Sequence, residues 1–597
     1  PLQDQAFSHG PGESRYVEEK RHYEKPIPIS DLVYLDRERC ILCDRCTRFA
    51  DEVAGDKLIH FVSRGNDTQV MTFPDEPFVS YFSGNTVQIC PVGALTAQPY
   101  RFKARPWDLA QRESTCTTCS VGCRTVIQSS RDELLRYQGV DSDPVNWGWL
   151  CDRGRFNFEA VNSDHRLTGP LVKTDNGLES TGWSAALRAA ASLVTDSLAA
   201  GGAESIGLLG GARGSNEDAF AWAQLADSIG ITHRDAQLGD GLPSEILGLE
   251  RATIDDAANA PTVILLGPDL KEELPVLYLR LRDAAEKQRS RIIEFSTVET
   301  GMSPYAWKSV RYEPGTQQDA AATALGDPAI AEQLAGGDVV IVAGRPNLAE
   351  SADATVAALQ TLLDGCPTAR VLPALRRGNG VGARTLGMAP ADTDHDGLAT
   401  LHSAAAGKLE LLVLLGADPL NDCPDADLAR RAVAGARRVL AIDTFPSESA
   451  QHADVVLAAS AYGEKAGTTT NLEGRVTTLG QQVTATGTSR PDWMIAVELG
   501  LMIGDRSFGA EHPLRGVSTV EDVTELIAST VPAFATATPA VLDNAVDGVL
   551  TVPEASTLPS VSFSAAGRNS YDYRLVVSRK LYDRAVGTQM SRSLVGL

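Results

Sequence analysis

The sequence lacks the features that mark membrane-spanning, secreted and nucleic-acid-binding proteins. Its 597 residues include no apolar run close to the roughly 20 residues of a membrane-spanning helix, and apolar stretches such as 263–266 and 411–415 have only the length of strands. No charged segment followed by an apolar one opens the chain, as it would in a signal peptide. Basic residues are also few: the chain has 54 Lys and Arg but 77 Asp and Glu, which gives a net charge of −23. Phosphate binding depends on a basic face, so we expect no nucleic-acid partner. We also expect a cytoplasmic location and no membrane span in this chain.

Cysteine is scarce as well, but its positions are strongly organised. Eight of the ten cysteines fall in two sets within roughly the first quarter of the chain, with spacings C-x2-C-x2-C-x43-C and C-x2-C-x3-C-x27-C. Each set places three thiols in one short loop and takes the fourth from farther along, which is how proteins hold a cubane iron–sulfur cluster. We therefore predict two [4Fe–4S] clusters, on a first set of Cys40, Cys43, Cys46 and Cys90 and a second set of Cys116, Cys119, Cys123 and Cys151.

Zinc and disulfide bonds are the two other uses of so many thiols. Structural zinc usually takes four thiolates as two separated C-x2-C pairs, whereas each set here is a triplet and a single residue. Because zinc and iron–sulfur clusters share the same ligands, zinc at one or both sites stays open as the weaker alternative. A disulfide framework belongs to oxidising compartments and small secreted domains, and a chain of this length can build a core without cross-links. Iron–sulfur clusters fit both spacings better.

The residues around the first set suit a cluster that is screened from water. Pro91 follows the last cysteine and prevents the chain from continuing as a helix. Arg45 and Arg48 are candidates for positive charge near this cluster, with a solvated helix face as the alternative. Four apolar neighbours are expected to form a dry wall around it: Ile41, Leu42, Ile89 and Val92.

The composition changes along the chain in a way that predicts an α/β fold. Residues 1–112 are polar and punctuated by proline, with short strands or loops at 51–70 and 73–82, and 113–168 carry the second set with short strands at 125–128 and 133–138. From 169 to 540, apolar strands alternate with glycine-containing turns and alanine-rich amphipathic helices, which indicates a doubly wound parallel sheet. Residues 541–597 are a linker and the start of a further domain.

Buried strands are predicted at 205–209, 262–266, 291–295, 339–342, 411–415 and 439–442, and Ser215-Asn216-Glu217-Asp218 predicts a helix cap.

Three glycine-containing turns follow predicted strands of this sheet. They are Gly210-Gly211, Gly267-Pro268 and Gly416-Ala417-Asp418-Pro419. Ligands of open parallel sheets bind outside the carboxyl ends of the strands, so each turn is a candidate dinucleotide site. None has the spacing G-x-G-x-x-G, and ordinary turn glycine is the favoured interpretation.

The cysteine spacings resemble a known family. The first set is similar to the relay cluster in the G subunit of bacterial proton-pumping NADH–quinone oxidoreductase, respiratory complex I. The second set is similar to an additional cluster that some bacterial members carry. With Gly154-Arg155-Phe156, the second set also resembles the cluster domain of the molybdopterin oxidoreductase superfamily, and 453–457 and 464–476 are similar to that superfamily's large domains. This resemblance implies a ferredoxin-like [4Fe–4S] region at 1–112, a cluster domain of the Mo/W bis-MGD type at 113–168 and a molybdopterin-oxidoreductase-like α/β domain at 169–540.

The function that this resemblance implies is an iron–sulfur electron relay. The subunit would pass electrons from the NADH/flavin side toward quinone, with no catalytic residue of its own and no bound molybdopterin. Its partners would be the NADH/flavin-binding subunit and the quinone-side hydrophilic subunits, on the cytoplasmic side of the inner (plasma) membrane. The family's [2Fe–2S] domain and His/Cys3 cluster have no counterpart here, so we expect them upstream in a longer protein. Because 575–597 resembles the entry to a further β-barrel domain, we expect the chain to be an internal fragment truncated at both ends.

The alternative function is the catalytic molybdenum subunit of an NAD-dependent formate dehydrogenase. Such an enzyme needs a protein ligand for molybdenum in the first part of its large domain. No cysteine lies between Cys151 and Cys366, and Cys366 and Cys423 are better interpreted as inert packing residues. A serine or aspartate ligand stays open. A purely structural scaffold would suit the large domain but leaves the eight clustered cysteines unexplained.

Overall fold

The computed structural model describes residues 2–20, 22–561, 563 and 573–597. The predicted linker and terminal unit at 541–597 therefore lie partly outside the described residues. The N-terminal region is built from short elements around a three-stranded antiparallel sheet in the order β1-β2-β5 and a hairpin of β3 and β4. Its helices and strands are α1 (Leu2–His9), β1 (Ile27–Pro28), β2 (Val33–Leu35), α2 (Arg45–Arg48), β3 (His60–Val62), β4 (Gln69–Met71), α3 (Ser83–Ile89) and β5 (Leu95–Ala97).

A small antiparallel sheet of three strands follows, with two short helices after it. The strands pair in the order β6-β7-β8, with an irregularity in register at Gln128 and Ser129. The elements are β6 (Ala110–Thr115), β7 (Arg124–Ser130), β8 (Glu133–Gly139), α4 (Asp152–Phe156) and α5 (Phe158–Val161). The two strands predicted at 125–128 and 133–138 are confirmed as β7 and β8.

The large sheet has seven strands in the order β10-β9-β20-β19-β18-β11-β12. The five strands from β20 to β12 are parallel, and the hairpin β9–β10 adds an antiparallel edge. Helices α6 and α7 both contact α18, and the three helices lie beside this sheet. The first elements are β9 (Leu171–Thr174), β10 (Gly177–Ser180), α6 (Trp183–Gly201), β11 (Ile206–Gly210), α7 (Asn216–Ile229) and β12 (Arg234–Asp235).

A second parallel sheet is inserted between β12 and β18. Its five strands run in the order β15-β14-β13-β16-β17, and the three central ones are almost wholly buried because helices cover both faces. Its elements are α8 (Ile254–Asn259), β13 (Thr262–Leu266), α9 (Leu270–Glu273), α10 (Pro275–Glu286), β14 (Arg291–Ser296), β15 (Lys308–Arg311), α11 (Gln317–Leu325), α12 (Pro328–Ala335), β16 (Val339–Ala343), α13 (Ala352–Gly365) and β17 (Arg370–Pro373).

The chain then returns to the seven-stranded sheet, and its last residues pack against α4 and α5. A further antiparallel sheet, β21-β22-β23, contacts β6 through β22 and α7 through β21. The remaining elements are α14 (Gly380–Thr385), α15 (Gly397–Ala405), β18 (Leu411–Leu415), α16 (Pro419–Asp422), α17 (Ala426–Gly435), β19 (Val439–Asp443), β20 (Val455–Ala458), β21 (Gly467–Thr470), β22 (Arg475–Leu479), α18 (Asp492–Ile503), α19 (Val520–Thr530), α20 (Pro539–Leu542), β23 (Val549–Leu550) and α21 (Val586–Gln589).

The predicted α/β class with parallel sheets is confirmed, and so are its buried strands. The six strands predicted from apolar runs correspond to β11, β13, β14, β16, β18 and β19. The predicted helix cap is also present as a capping box at the start of α7, because the backbone N–H of Asp218 donates to the Ser215 hydroxyl and the backbone N–H of Ser215 donates to the Asp218 carboxylate. One local prediction is wrong: Phe49–Ala54, expected as strand or loop from residue 51, forms a π-helical turn.

In the described part of the chain, no single helix is both long and apolar enough to cross a membrane. One bent pair, Val520–Thr530 with Pro532–Leu542 at 114°, meets the requirement in length and composition when taken together.

Candidate iron–sulfur sites and the neighbouring cleft

The first set of cysteines lines one small cavity at the edge of the N-terminal region. The loop that directly precedes α2 is curled, because Leu42 and Asp44 take left-handed backbone conformations with φ of 53° and 66°. Such conformations are unfavourable for residues with a side chain, so a specific arrangement of the loop is being maintained. The fourth cysteine follows the last residue of α3. The structure thus brings together Cys40, Cys43, Cys46 and Cys90, with Arg45, Pro91 and Val92 beside them.

Two thiols of the first set, those of Cys40 and Cys46, are not stable as thiolates by themselves. Burial, with the neighbouring thiols of Cys40 and Cys90 adding to it, raises the pKa of Cys46 to about 12. Burial likewise raises the pKa of Cys40, although the backbone N–H of Leu42 donates to its Sγ at 3.4 Å. Metal coordination deprotonates thiols outright. The set therefore suits a cationic metal centre rather than four free thiols.

One edge of the first site is exposed. Cys43 is exposed to solvent, and the neighbouring Ile41 and Leu42 are 59% and 41% exposed. The expected dry wall is therefore incomplete on this side, because Ile41 lines the cavity but is largely exposed, and Leu42 is not among the residues that line it. Arg45 lines the cavity, whereas Arg48 is turned to solvent and pairs with Glu52 at 3.1 Å.

The second set is gathered in the interior, where the three-stranded sheet meets the second parallel sheet. Cys116 follows β6, and Cys151 is the N-cap of α4, where its Sγ accepts from the backbone N–H of Gly154 at 3.4 Å. The Thr118 hydroxyl lies 3.1 Å from the Sγ of Cys116. Cys116, Cys123 and Cys151 are each less than a tenth exposed, and all four cysteines pack into one core with residues of β13 and α10.

Gly154 is required by this arrangement. A Cβ atom at this position would lie 3.0 Å from the Sγ of Cys116 and 3.5 Å from the Sγ of Cys151. The helix that Cys151 caps therefore approaches the thiols so closely that no side chain fits between them. This explains the glycine in the motif Gly154-Arg155-Phe156.

Burial has a stronger effect on the second set than on the first. Burial raises the pKa of Cys119 to about 12, and the thiol of Cys116 adds to the rise. Burial also raises the pKa of Cys123 and Cys151 well above the usual range for thiols. Four thiols gathered at one place could hold a metal centre, whose positive charge would favour their thiolate forms.

The spacing of the thiols favours a polynuclear cluster over a single zinc ion in both sets. Four thiolates around zinc, each at about 2.3 Å, would lie only about 3.8 Å apart. Within the part of the chain that the structure describes, no three of the cysteine sulfurs lie within 4.8 Å of one another. With these side-chain positions neither set is arranged for one zinc ion, whereas a larger cluster would accommodate a wider spacing of its ligands.

A large cleft opens beside the second set, at the carboxyl ends of the seven-stranded sheet. It encloses about 1560 Å³ of space open to solvent. Thr117, Thr118 and Arg153 line it on the side of the second set, and Gly211 and Gly416 line it after β11 and β18. Two of the three glycine turns singled out from the sequence therefore lie at this cleft. Gly267 belongs to the other sheet and is not among the residues that line it.

Buried ion pairs dominate the floor of the cleft. Asp583 pairs with Arg153 at 3.1 Å and also with Arg376. Asp240 accepts from Arg377 at 2.5 Å. Burial alone would raise the pKa of Asp240, but the two neighbouring guanidinium groups overcome this and hold its pKa at about 2. Since their partners come from distant parts of the chain, no local sequence pattern reveals these groups.

The C-terminal strap, residues 579–594, crosses the cleft next to the second set. Its residues 585–588 line the cleft. The strap is held by Lys580, which pairs with Glu272 at 2.7 Å, and by the Ser591 hydroxyl, which donates to the Phe156 carbonyl at 3.1 Å. Leu594 is 1% exposed and completes this anchor. The strap is therefore packed into the cluster domain and forms part of the cleft wall.

Comparisons with known families agree with this arrangement. The model of the molybdopterin oxidoreductase family matches residues 166–501, and that of the molybdopterin oxidoreductase Fe4S4 domain matches residues 110–163. The ferredoxin-like domain of NADH-quinone oxidoreductase subunit 3 matches residues 30–96. The matched regions contain both sets of cysteines and the large sheet, so the chain carries iron–sulfur domains.

Curated relatives carry the same similarity along most of the chain. The G subunit of NADH-quinone oxidoreductase from Streptomyces coelicolor is 38% identical over 80% of this chain and 62% of its own length. The corresponding G subunit from Mycobacterium bovis is 37% identical over 80% of this chain and 63% of its own length. NADPH-Fe(3+) oxidoreductase subunit alpha of Geobacter sulfurreducens is 28% identical over 89% of this chain and 71% of its own length. The predicted similarity to the G subunit is confirmed, and the chain spans less than two thirds of the length of these two G subunits.

Proposed function

Since this chain belongs to the molybdopterin oxidoreductase family, we propose that it is the iron–sulfur electron-relay subunit of an NADH–quinone oxidoreductase. In this role it passes electrons from the NADH/flavin side of a proton-pumping respiratory complex toward quinone. The observation that carries the proposal is the pair of four-cysteine sets, one at the surface and one buried. The similarity to G-subunit sequences supports the choice of this complex over other oxidoreductases.

Each set of cysteines is proposed to hold one [4Fe–4S] cluster, which supplies one-electron uptake and release when bound. In the first set, Leu42 donates its backbone N–H toward Cys40, and Arg45 adds positive charge to the cavity. In the second set, Gly154 and Thr118 hydrogen-bond to Cys151 and Cys116. Such contacts stabilise negative charge at the thiolates and thereby tune the potential of a bound cluster. No residue of this chain is assigned a catalytic role.

The exposed edge of the first site supports its place on the electron path. Electron transfer between proteins requires a cluster to approach its partner closely, and Cys43 with the apolar Ile41 and Leu42 provides an accessible surface there. The second set is covered by the second sheet and by the cleft. We therefore assign electron exchange to the first site and a mainly structural role to the second.

We further propose that the chain binds no molybdopterin. Among the described residues that line the cleft there is no cysteine to act as a soft ligand for molybdenum. Cys366 and Cys423 are buried in separate hydrophobic clusters instead. The arginines on the cleft floor are paired with Asp583 and Asp240, so their charge is already compensated within the chain. A molybdenum-dependent formate dehydrogenase is the alternative that this proposal rejects.

The partners follow from the relay role. They are the NADH/flavin-binding subunit and the quinone-side hydrophilic subunits, with this chain on the cytoplasmic side of the inner (plasma) membrane and no nucleic acid bound. We also propose the domain division 1–112, 113–168, 169–540 and 541–597.

The test uses the complex purified anaerobically from native cells grown with molybdate. We expect about eight irons and eight sulfides bound by the residues of this chain, as two cubanes. NADH should reduce the first cluster, and added quinone should reoxidise it, as followed by electron paramagnetic resonance after rapid freezing. We expect no stoichiometric molybdenum. One molybdenum per chain with formate oxidation would establish the alternative, and stoichiometric zinc with half the iron would refute one cluster.

A further inference from the structure

A cluster of metal-binding side chains lies on the opposite end of the seven-stranded sheet from the cleft. Glu204 lies in a turn just before β11, His233 directly precedes β12, and His395 ends a turn before α15. The first two positions are at the amino ends of parallel strands, whereas the cleft is at the carboxyl ends. A five-residue strand separates them, which is about 16 Å. We call Glu204, His233 and His395 the His–Glu cluster.

The atoms of the His–Glu cluster have the spacing of metal ligands. The Nε2 atom of His395 is 3.4 Å from Oε2 of Glu204, and Nε2 of His233 is 3.9 Å from the same oxygen. The potential ligand atoms of all three residues lie within 4.8 Å of one another. Ligands bound to zinc at about 2.1 Å in tetrahedral geometry are about 3.4 Å apart. In the described part of the chain, no other three His, Cys, Asp or Glu residues are this close.

Neighbouring residues orient two of these side chains as they do in metal sites. Nδ1 of His395 lies 2.6 Å from Oδ1 of Asp392, which leaves Nε2 to face Glu204. A carboxylate on the far nitrogen is a common partner of metal-binding histidines. The Thr232 hydroxyl donates to Oε1 of Glu204 at 2.9 Å, so that Oε2 is left for a ligand.

The third side chain, His233, is buried without full hydrogen bonding from the protein. The His233 ring is almost buried and lies against the His395 ring with a centroid distance of 4.7 Å. Its Nδ1 atom has no hydrogen-bond partner in the described structure. The two carboxylates beside these imidazoles, Glu204 and Asp392, carry two negative charges, which one divalent cation would balance.

We propose that the His–Glu cluster binds one divalent transition-metal ion of the zinc class. Glu204, His233 and His395 supply the ligands, Asp392 orients His395, and a fourth position is open to water. Two imidazoles and a carboxylate suit zinc and do not suit magnesium or calcium, which prefer oxygen. Because the three ligands come from separate segments, the ion would fasten the loop at 392–396 to the edge of the sheet. This site is distinct from the cysteine sets and independent of the proposed relay.

The test is calorimetric titration of the iron–sulfur-loaded protein with Zn²⁺ alone. We expect one zinc site in the wild type that is lost in His233→Ala and in His395→Ala. His452→Ala removes an exposed histidine outside the cluster and serves as the matched control, which should retain the site. Asp392→Asn should weaken binding by about 10–100-fold, as expected for a residue that orients a ligand. Equal iron content and far-UV circular dichroism would show that the variants are folded.

Amide hydrogen exchange is a second measurement. Weak binding of Zn²⁺ elsewhere on the surface would not change the exchange rates at the cluster. Zn²⁺ should slow exchange at 232–235 and 392–396 in the wild type and leave these segments unchanged in His395→Ala. The proposal is overturned if the wild type binds no zinc, or if both histidine variants bind it as well as the wild type. In that case Glu204, His395 and Asp392 form a hydrogen-bonded ion pair only. Unchanged affinity in Asp392→Asn would overturn the orienting role of Asp392.

Discussion

The two sets of cysteines have the same ligands and opposite surroundings. The first set lies at the surface with Cys43 exposed, whereas three of the four thiols in the second set are less than a tenth exposed. A donor set determines which metal centre can bind, but its surroundings determine what that centre can do. An exposed edge permits electron exchange with another protein, and a buried site contributes mainly to the core around it.

The energetic cost of losing a cluster differs between the two sites for the same reason. Thiols at a surface can be solvated when no metal is bound. The second set shares a core with Phe82, Leu150 and residues of the second sheet, so its thiols have no such alternative. Polar groups buried without a partner are destabilising, and metal binding to such a site becomes part of the folding free energy.

The largest expected effect is the loss of electron flow when Cys43 is changed to alanine. The first site would lose a ligand at its exposed edge, and the relay would be interrupted. We expect NADH–quinone reductase activity of the assembled complex to fall to background. Cys366→Ala removes a buried cysteine outside both sets and is the control, with activity retained. Normal quinone reduction in an assembled Cys43→Ala complex would contradict the assignment of the relay to the first site.

The comparison predicts a different outcome for Cys119→Ala. This change should halve the iron content of the chain and lower its thermal unfolding temperature, because the remaining buried thiols of the second set lose their metal centre. Electron flow should largely persist in the complexes that still assemble. Iron analysis, calorimetry and activity are measured on the same preparation. If activity falls to background at normal stability, the second site is on the electron path and the contrast between the sets is wrong.

The parts of the fold that could be predicted from the sequence are those whose cause is local. The strand Thr262–Leu266 is buried throughout and apolar after its first residue, because both faces of a parallel sheet are covered. The cap at Ser215 is visible because its partner Asp218 is three residues away. By contrast, Ala110–Thr115 was missed because four of its six residues are exposed and it carries little apolar pattern.

The same distinction applies to the candidate sites. Three cysteines of each set are close in sequence, so their spacing reveals a shared metal centre. The pairing of Arg153 with Asp583, and the meeting of Glu204 with His395, depend on the folded sheet and leave no mark in the sequence. The exposure of Ile41 and Leu42 was also unpredictable, because apolar character alone does not tell which side of a loop is covered.

Asp583→Asn tests how the strap affects the second site. The change leaves the buried guanidinium group of Arg153 without its counter-charge and leaves Arg376 with Asp240 alone, which should destabilise the protein by about 3 kcal/mol. The uncompensated positive charge beside the second set should also raise the reduction potential of its cluster. Potentiometric titration and amide exchange of 579–594 are the measurements, with the exposed Asp164→Asn as control. An unchanged potential would show that the strap does not influence this site.

The smallest expected effect, and the sharpest structural test, is Gly154→Ala. The added Cβ would lie 3.0 Å from the Sγ of Cys116, closer than ordinary van der Waals contact, so α4 or the thiol must shift. Overpacking of this kind costs about 1–3 kcal/mol. Gly380→Ala is the matched control, since it also lies in a short helix but its Cβ would meet Leu375 at an ordinary 3.7 Å. We expect Gly154→Ala to lower the unfolding temperature and broaden the paramagnetic resonance signal of the second cluster, while the signal of the first cluster stays unchanged. Equal stability of the two variants, with both signals intact, would mean that the buried site is packed less tightly than its close contacts indicate.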